Sequence, residues 1–366
     1  MTVNNKYILI CGGDVGGSRA LMALIELLEK NNLNYLIVNH GYLGENISKK
    51  LSKNLLEKNN FKLEELFCKK KISIYIFSTS VKDTVALKIA RFSKKNNILT
   101  FCLLDSAIRI RDRMELDSLS TFHPDFIFLQ DEESISSAEA EGFGKETLIV
   151  TGQPALNHLY KSNENWSSSN HFAMMKMNEW IDNRKIILFI SEPVKSDQGS
   201  TKNSPQFRGY DEENVISIIC NSLQNYHKKI QIGVLPHPRD NINKLKNLFK
   251  KYSFKLHYNF FNCDSGRDAI LFSDGIIGMA SILIYESWLI GKPTISLQPN
   301  IINKNFLYLE KKKNLPLFKE EKSFKQFLPF WMDQIFSERK NKINKKELLL
   351  HEKSPRKILS IIKEYI

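Results

Sequence analysis

Glu286 is an acid in an apolar setting. The stretch around it, Gly278–Pro299, reads GMASILIYESWLIGKPTISLQP. A buried carboxylate is costly unless something pairs with it. Gly278 opens a turn, and Ser281 is a good N-cap for the short helix that follows. The amides at a helix start favour an anion such as a phosphate. Gly291 fits the position just past the helix end, and Pro293 stops it. Glu286 falls about one and a half turns into the helix. A carboxylate at that depth can accept hydrogen bonds from two adjacent ribose hydroxyls. Phosphate on Ser281 and ribose on Glu286 would be one ligand, a nucleotide lying along the helix start. The competing reading is a buried Glu286 paired with Lys292 or Arg267.

Three further stretches carry polar groups at the ends of apolar runs. ILFISEP (Ile187–Pro193) ends on Ser191 and Glu192, and VLPHPRD (Val234–Asp240) sets His237 between two prolines. The prolines restrict the backbone, so His237 and Arg239 have limited directions and can hold a diphosphate. A rigid turn with an incidental histidine is the alternative. ILICGGDVGGSRAL (Ile8–Leu21) places Gly12, Gly13, Gly16 and Gly17 between an apolar run and a helical pattern. Glycines let a ligand approach the backbone, and Asp14 and Arg19 are the polar candidates in that loop. The spacing matches neither the GxGxxG fingerprint nor a P-loop, and Asn39-His40 stands where a dinucleotide site needs an acid. A tight strand-to-helix turn explains the glycines equally well.

These groups need strand ends and helix starts to hold them, and the sequence supplies both. Strands are expected at Tyr7–Cys11, Asn34–Val38, Ser73–Phe77, Ile98–Leu104, Phe126–Leu129 and Thr147–Val150, with amphipathic stretches such as Arg19–Glu29 and Asp83–Lys94 between them. Continuous apolar strands alternating with helices predict a parallel sheet covered on both faces. Asn157–Phe172 is polar, contains three consecutive serines and reads as a linker or loop. The alternation then restarts with strands at Ile186–Ile190, Ile230–Leu235, Gly275–Ile277 and Thr294–Leu297, and helices at Glu212–Tyr226, Ile242–Lys250 and Ile282–Ile290. Val194–Asp211 reads as a long polar loop, and the last stretch of the chain as helical and free of strands.

A length of 366 residues fits two domains, and 42% hydrophobic with 25% charged residues fits a globular protein. No run of about 18 uncharged apolar residues predicts a membrane span. The N-terminus reads as a first strand and not as a signal peptide. The five cysteines, Cys11, Cys68, Cys102, Cys220 and Cys263, are widely spaced and read as buried hydrophobes, with no zinc or disulfide pattern. The net charge is +13, and only 11 of the 53 basic residues are arginine. Lysine-rich excess suits attraction to anionic surfaces or phosphorylated ligands, and equally a compositional bias. No nucleic-acid motif accompanies it.

Two α/β domains, the glycine-rich first loop, VTGQP (Val150–Pro154), PHPRD and the Ser281-to-Pro293 motif together resemble the GT-B superfamily. That group includes nucleotide-sugar glycosyltransferases and non-hydrolysing UDP-N-acetylglucosamine 2-epimerases. The resemblance covers most of residues 7–300. It implies two Rossmann-like domains facing a cleft, with an acceptor domain at 1–157, a linker at 158–183 and a nucleotide-sugar domain at 184–335. Residues 336–366 would be a C-terminal helix, for which return to the first domain is one option. In the family the serine at the helix start contacts phosphate and the glutamate holds the ribose, positions that Ser281 and Glu286 match. A histidine-proline motif also recurs in GT-B enzymes that use CMP-activated acidic sugars, and His237-Pro238 matches it. Donor binding thus falls to Ser191, His237, Arg239, Gly278, Ser281 and Glu286. The acceptor falls to Gly12, Gly13, Gly16, Gly17, Arg19 and Arg109.

The chain departs from the epimerases at FSTSVKDT (Phe77–Thr84), where they carry Gly-Asp, and at LLDSAIRIRDR (Leu103–Arg113), where they carry an acid-rich segment. Asp105 and Arg109 echo the second. Glycosyl transfer with inversion needs a base for the acceptor hydroxyl. Asp105 is the first candidate and Asp14 the second. No Asp-x-Asp pair implies a metal, and the nucleotide sugar is a substrate, so no cofactor is expected. The expectation is a cytoplasmic, metal-independent glycosyltransferase acting on a surface glycan or lipid-linked acceptor. An epimerase or hydrolase, and an inactive nucleotide- or glycan-binding partner, are the alternatives. KSFKQFLPFWMDQIF (Lys322–Phe336) is either a helix lying on an anionic membrane or one packed on a core.

Overall fold

The computed structural model describes residues 6–366 except 49–50, 57–62, 82, 107, 117–119, 179, 182, 205, 254, 264 and 338–342. The chain divides into two compact units, Met1–Tyr160 with Lys345–Ile366, and Lys161–Asn344.

The first unit is built on strands β1 (Lys6–Cys11), β2 (Tyr35–Val38), β3 (Leu55–Leu56), β4 (Lys71–Phe77), β5 (Leu99–Leu103), β6 (Phe126–Leu129) and β7 (Leu148–Val150). They form one parallel sheet in the order β3-β2-β1-β4-β5-β6-β7. Alternate residues of β1 serve opposite layers, which is why its apolar run is unbroken. Ile8 and Ile10 join a core with Leu21, Leu24 and Leu28 of the helix Val15–Lys30. Leu9 and Cys11 join another with Leu87 and Ala90 of the helix Thr84–Lys95. The C-terminal helix Lys345–Lys363 belongs to the first layer through Ile358, Leu359 and Ile362. It is tied down where His351 Nδ1 accepts from the Gln153 amide at 3.0 Å.

The second unit carries β8 (Lys185–Ile190), β9 (Ile230–Leu235), β10 (Tyr258–Phe260), β11 (Gly275–Gly278), β12 (Thr294–Leu297) and β13 (Leu317–Phe318). These also pair in parallel, in the order β10-β9-β8-β11-β12-β13. Asp211 opens the helix Glu212–Leu223 with a capping box to Asn214.

Three expectations are corrected. The polar stretch read as a linker or loop is mostly helical, Leu159–Glu164 and Ser168–Asn178, because Ser167 acts as a cap: its Oγ accepts from the Asn170 amide and its amide donates to Asn170 Oδ1. The loop after β8 begins as a short helix, Val194–Gln198. The C-terminal region contains β13, two residues long and too short for a period-2 signal. The side chain of Cys68 lies outside the described residues, while Cys11, Cys102 and Cys220 are buried.

The aromatic helix Glu321–Phe336 packs on the core of the second unit. Phe324, Leu328, Trp331, Met332 and Ile335 share one cluster with Ile187 and Val234. Phe330 is 58% exposed, so Phe330→Ser is expected to change stability by less than about 0.5 kcal/mol. Urea unfolding checks this, and a loss above about 1 kcal/mol would contradict the orientation. Among the described residues no helix is long and apolar enough to cross a membrane.

Candidate functional site

In a parallel sheet, ligands bind beyond the strand C-termini where the strand order reverses. In the second unit that point lies between β8 and β11. The register pairs Ile190 with Gly278. The residues just past them therefore face one another across the crest. Glu192 Oε1 accepts from the Ala280 amide at 2.6 Å, and its Oε2 accepts from Arg208 Nη1 at 2.9 Å. The Arg208 guanidinium lies over the Phe306 ring at 3.9 Å. Burial works against its charge, but Glu192 more than offsets this and holds Arg208 above its ordinary value. Burial likewise pushes the nearby Tyr210 hydroxyl up. That hydroxyl lies within electrostatic reach of Arg208 but makes no hydrogen bond of normal geometry.

Ser281 caps the helix Ile282–Leu289, its Oγ accepting from the Leu283 amide at 3.3 Å. The Leu283 and Ile284 amides of the first turn are taken by Ser281, through its Oγ and its carbonyl. Gly278 is buried, and a Cβ there would lie 2.7 Å from Ile284 Cδ1. It serves the close approach of helix to strand rather than an exposed contact. Glu286 is corrected on one point: it is not a charge without a protein partner. It is 6% exposed and accepts from Arg267 Nε at 3.0 Å. Lys292 turns elsewhere, donating to the carbonyls of Leu271 and Ser273.

His237 Nδ1 accepts from the Arg239 amide at 3.1 Å, which leaves the proton on Nε2. Burial, then the Arg239 charge, depress its pKa below the ordinary histidine value. Near neutral pH it therefore offers a hydrogen bond and no charge. Arg239 is exposed and pairs with Asp197 at 2.8 Å. Ser191 is 1% exposed, and its hydroxyl is sealed from solvent without a partner. At this strand end Glu192, not Ser191, reaches the turn.

In the first unit the order reverses between β1 and β4. The Gly13 amide donates to Asp83 Oδ2 at 2.8 Å, and His40 Nε2 lies 2.8 Å from Asp83 Oδ1. Asp83 also caps the helix Thr84–Lys95 through the amides of Val85 and Ala86. Burial pulls Asp83 up, but His40 and the Gly13 and Ala86 amides outweigh it and hold the carboxyl below its usual value. A Cβ on Gly13 would lie 2.5 Å from His40 Nε2, so this loop is glycine-rich partly to admit the chain's own side chains. Gly12 and Gly17 are buried, and both stand against Ser78.

Asp105 joins the glycine loop: its Oδ2 lies against Gly16, and its Oδ1 accepts from Arg113 Nη1 at 2.5 Å. Asp14 is exposed at the N-cap of the helix Val15–Lys30 and makes no side-chain cap bond. Arg19 is exposed, one turn further along. Arg109 sits in the left-handed region (φ 55°), and its Nε donates to Asp112 at 2.6 Å.

The sequence matches no protein-family model and no curated protein. Solved structures do resemble it over nearly the whole chain. A glycosyltransferase from Rickettsia africae superposes with a TM-score of 0.69 at 14% identity, covering 99% of this chain and 99% of that one. UDP-GlcNAc 2-epimerase from Neisseria meningitidis, bound to UDP-GlcNAc, gives 0.67 at 15% identity, covering 98% and 100%. The wall teichoic acid polymerase TagF gives 0.57 at 12% identity, covering 99% and 89%. The chain has the GT-B fold.

Within this GT-B chain the glycine loop, Asp14 and Asp105 meet at one strand crest, and Ser281 and Glu286 lie with their helix at another. Sequence reading passed over His40, Asp83, Arg113 and Arg208. Asp83 had a signal, an acid directly before an amphipathic helix. Arg208 had none, since it lies in a polar loop and is buried only by tertiary contacts.

Proposed function

We propose that this GT-B protein is a nucleotide-sugar-dependent glycosyltransferase. The observation that carries the reading is the Gly278–Glu286 turn and helix, placed at the reversal point of the second sheet with Ser281 capping. Phosphate oxygens would accept from the Ser281 hydroxyl at the helix start, and His237 Nε2 and Arg239 would donate to the diphosphate as the sugar leaves. The ribose hydroxyls would reach Glu286. The acceptor belongs to the crest of the first unit, where Asp105 or Asp14 takes the proton of its hydroxyl while the glycosidic bond forms. Gly13, Gly16, Arg19 and Arg109 are the candidate acceptor contacts, and the acceptor we favour is a surface glycan or its lipid-linked precursor. The basic surface would then work at the cytoplasmic face of an anionic membrane.

A nucleotide and nucleotide-sugar thermal-shift panel tests the donor half. One nucleotide is expected to raise the Tm of wild type, and Glu286→Ala is expected to lose most of that shift. An equal shift in the variant removes Glu286 from the ribose. The epimerase neighbours favour a second reading, epimerisation or hydrolysis on the same fold. Free sugar or a new epimer formed without any acceptor would select it. Nucleotide binding with no turnover of any donor would make the chain a binding partner instead.

A further inference from the structure

The peptide unit joining Met279 to Ala280 is gripped from both sides by buried side chains. Its carbonyl accepts from Ser296 Oγ at 2.6 Å and from Gln298 Nε2 at 3.4 Å, on the β12 side. Its N–H donates to Glu192 Oε1 at 2.6 Å, on the β8 side. Glu192 is itself oriented by Arg208, whose carbonyl accepts from the Ile302 amide at 2.8 Å and whose guanidinium rests on Phe306. Side-chain exposure is 12% for Glu192 and 7% for Arg208.

A buried ion pair seldom stabilises a fold better than an apolar pair of the same volume. This one also leaves Arg208 Nε and the Tyr210 hydroxyl without a hydrogen bond of normal geometry. Stability alone therefore gives little reason for it. Direction does: a peptide held at both its oxygen and its nitrogen cannot rotate, and it stands directly before the Ser281 cap. We propose that Glu192 and Arg208, with Ser296 and Gln298 opposite, are positioning residues that fix the Met279–Ala280 peptide so that the Ser281 hydroxyl and the helix start that follow it are aimed at the phosphates of a nucleoside diphosphate. The inference rests on the donor-site reading of Ser281 and Glu286.

The test uses the full chain with UDP, CDP, GDP and ADP and the matching nucleosides, by calorimetry and thermal shift. The Glu192→Leu/Arg208→Met double variant swaps a buried pair for apolar groups of similar size but leaves the Ala280 amide without its acceptor, so it is expected to fold with an unliganded Tm lowered by a few degrees. Its affinity for the diphosphate that binds wild type is expected to fall about 10- to 100-fold, the scale of hydrogen bonds to a charged group. Affinity for the nucleoside should hold within about twofold, since no phosphate contact is involved. Glu192→Gln keeps an acceptor for the amide and should retain more of the diphosphate affinity than the double variant. Should the double variant not fold, Ser296→Ala reads the other grip on the same peptide and should weaken the diphosphate alone. Unchanged diphosphate affinity in the folded variants, or an equal loss for nucleoside and diphosphate, overturns the positioning role. A wild type that binds none of these diphosphates instead overturns the donor-site reading, and the positioning role with it.

Discussion

Asp105→Asn is expected to bind donor as wild type does and to lose transfer by about 100- to 10,000-fold, the range of general base catalysis. Asparagine keeps the shape that lies against Gly16 and can still accept from Arg113, so the first unit should fold unchanged. What it loses is the ability to take a proton. The measurement is kcat and KM for transfer, using the donor that the thermal-shift panel identifies. A fall in kcat with donor KM held assigns the base. Full activity excludes Asp105 and passes the role to Asp14, which is exposed at the first helix start.

Asp83→Ala should be the most damaging of these substitutions for stability, by about 2–4 kcal/mol, combining a lost N-cap with a Gly13 amide left without its acceptor. At about 2–4 °C per kcal/mol, the Tm would fall by roughly 4–16 °C. The effect depends on pH in a defined sense. The Asp83 carboxyl is held below its ordinary value in the folded chain. Its contribution is therefore full above the unfolded value of about 3.9 and is lost as pH falls through the folded value. Urea midpoints of wild type and variant should differ above about pH 5 and converge below about pH 4. A difference that persists undiminished below about pH 3 would contradict the assignment of Asp83 as an ionised cap.

How far the site could be read from sequence varied with the kind of contact. Ser281 and its helix start were legible because an N-cap, an apolar helix and a Gly-x-Pro stop lie in one continuous stretch. The partner of Glu286 was narrowed to two residues, and only the fold chose Arg267 over Lys292, whose ammonium is taken by two carbonyls. The glycine loop was recognised, but its composition was open to two explanations. Its neighbours His40, Ser78, Asp83 and Asp105 reach it from other strand ends, and no local pattern announces contacts of that range.

By itself, the sequence determined the two alternating α/β halves, most of their strands, and the capped turn that heads the Ile282–Leu289 helix. Those features are encoded locally, as unbroken apolar runs in doubly covered strands and as cap and stop residues within a few positions of one another. Only the tertiary structure decided the short strands β3, β10 and β13, the inward face of the aromatic helix, and the ion pairs at the crests. A short edge strand is defined by the neighbour it pairs with, and a buried charge by the partner that compensates it. Arg208 and Glu192 are sixteen residues apart in sequence, and their link to Ala280 forms only because the parallel register of β8 and β11 sets Ile190 beside Gly278.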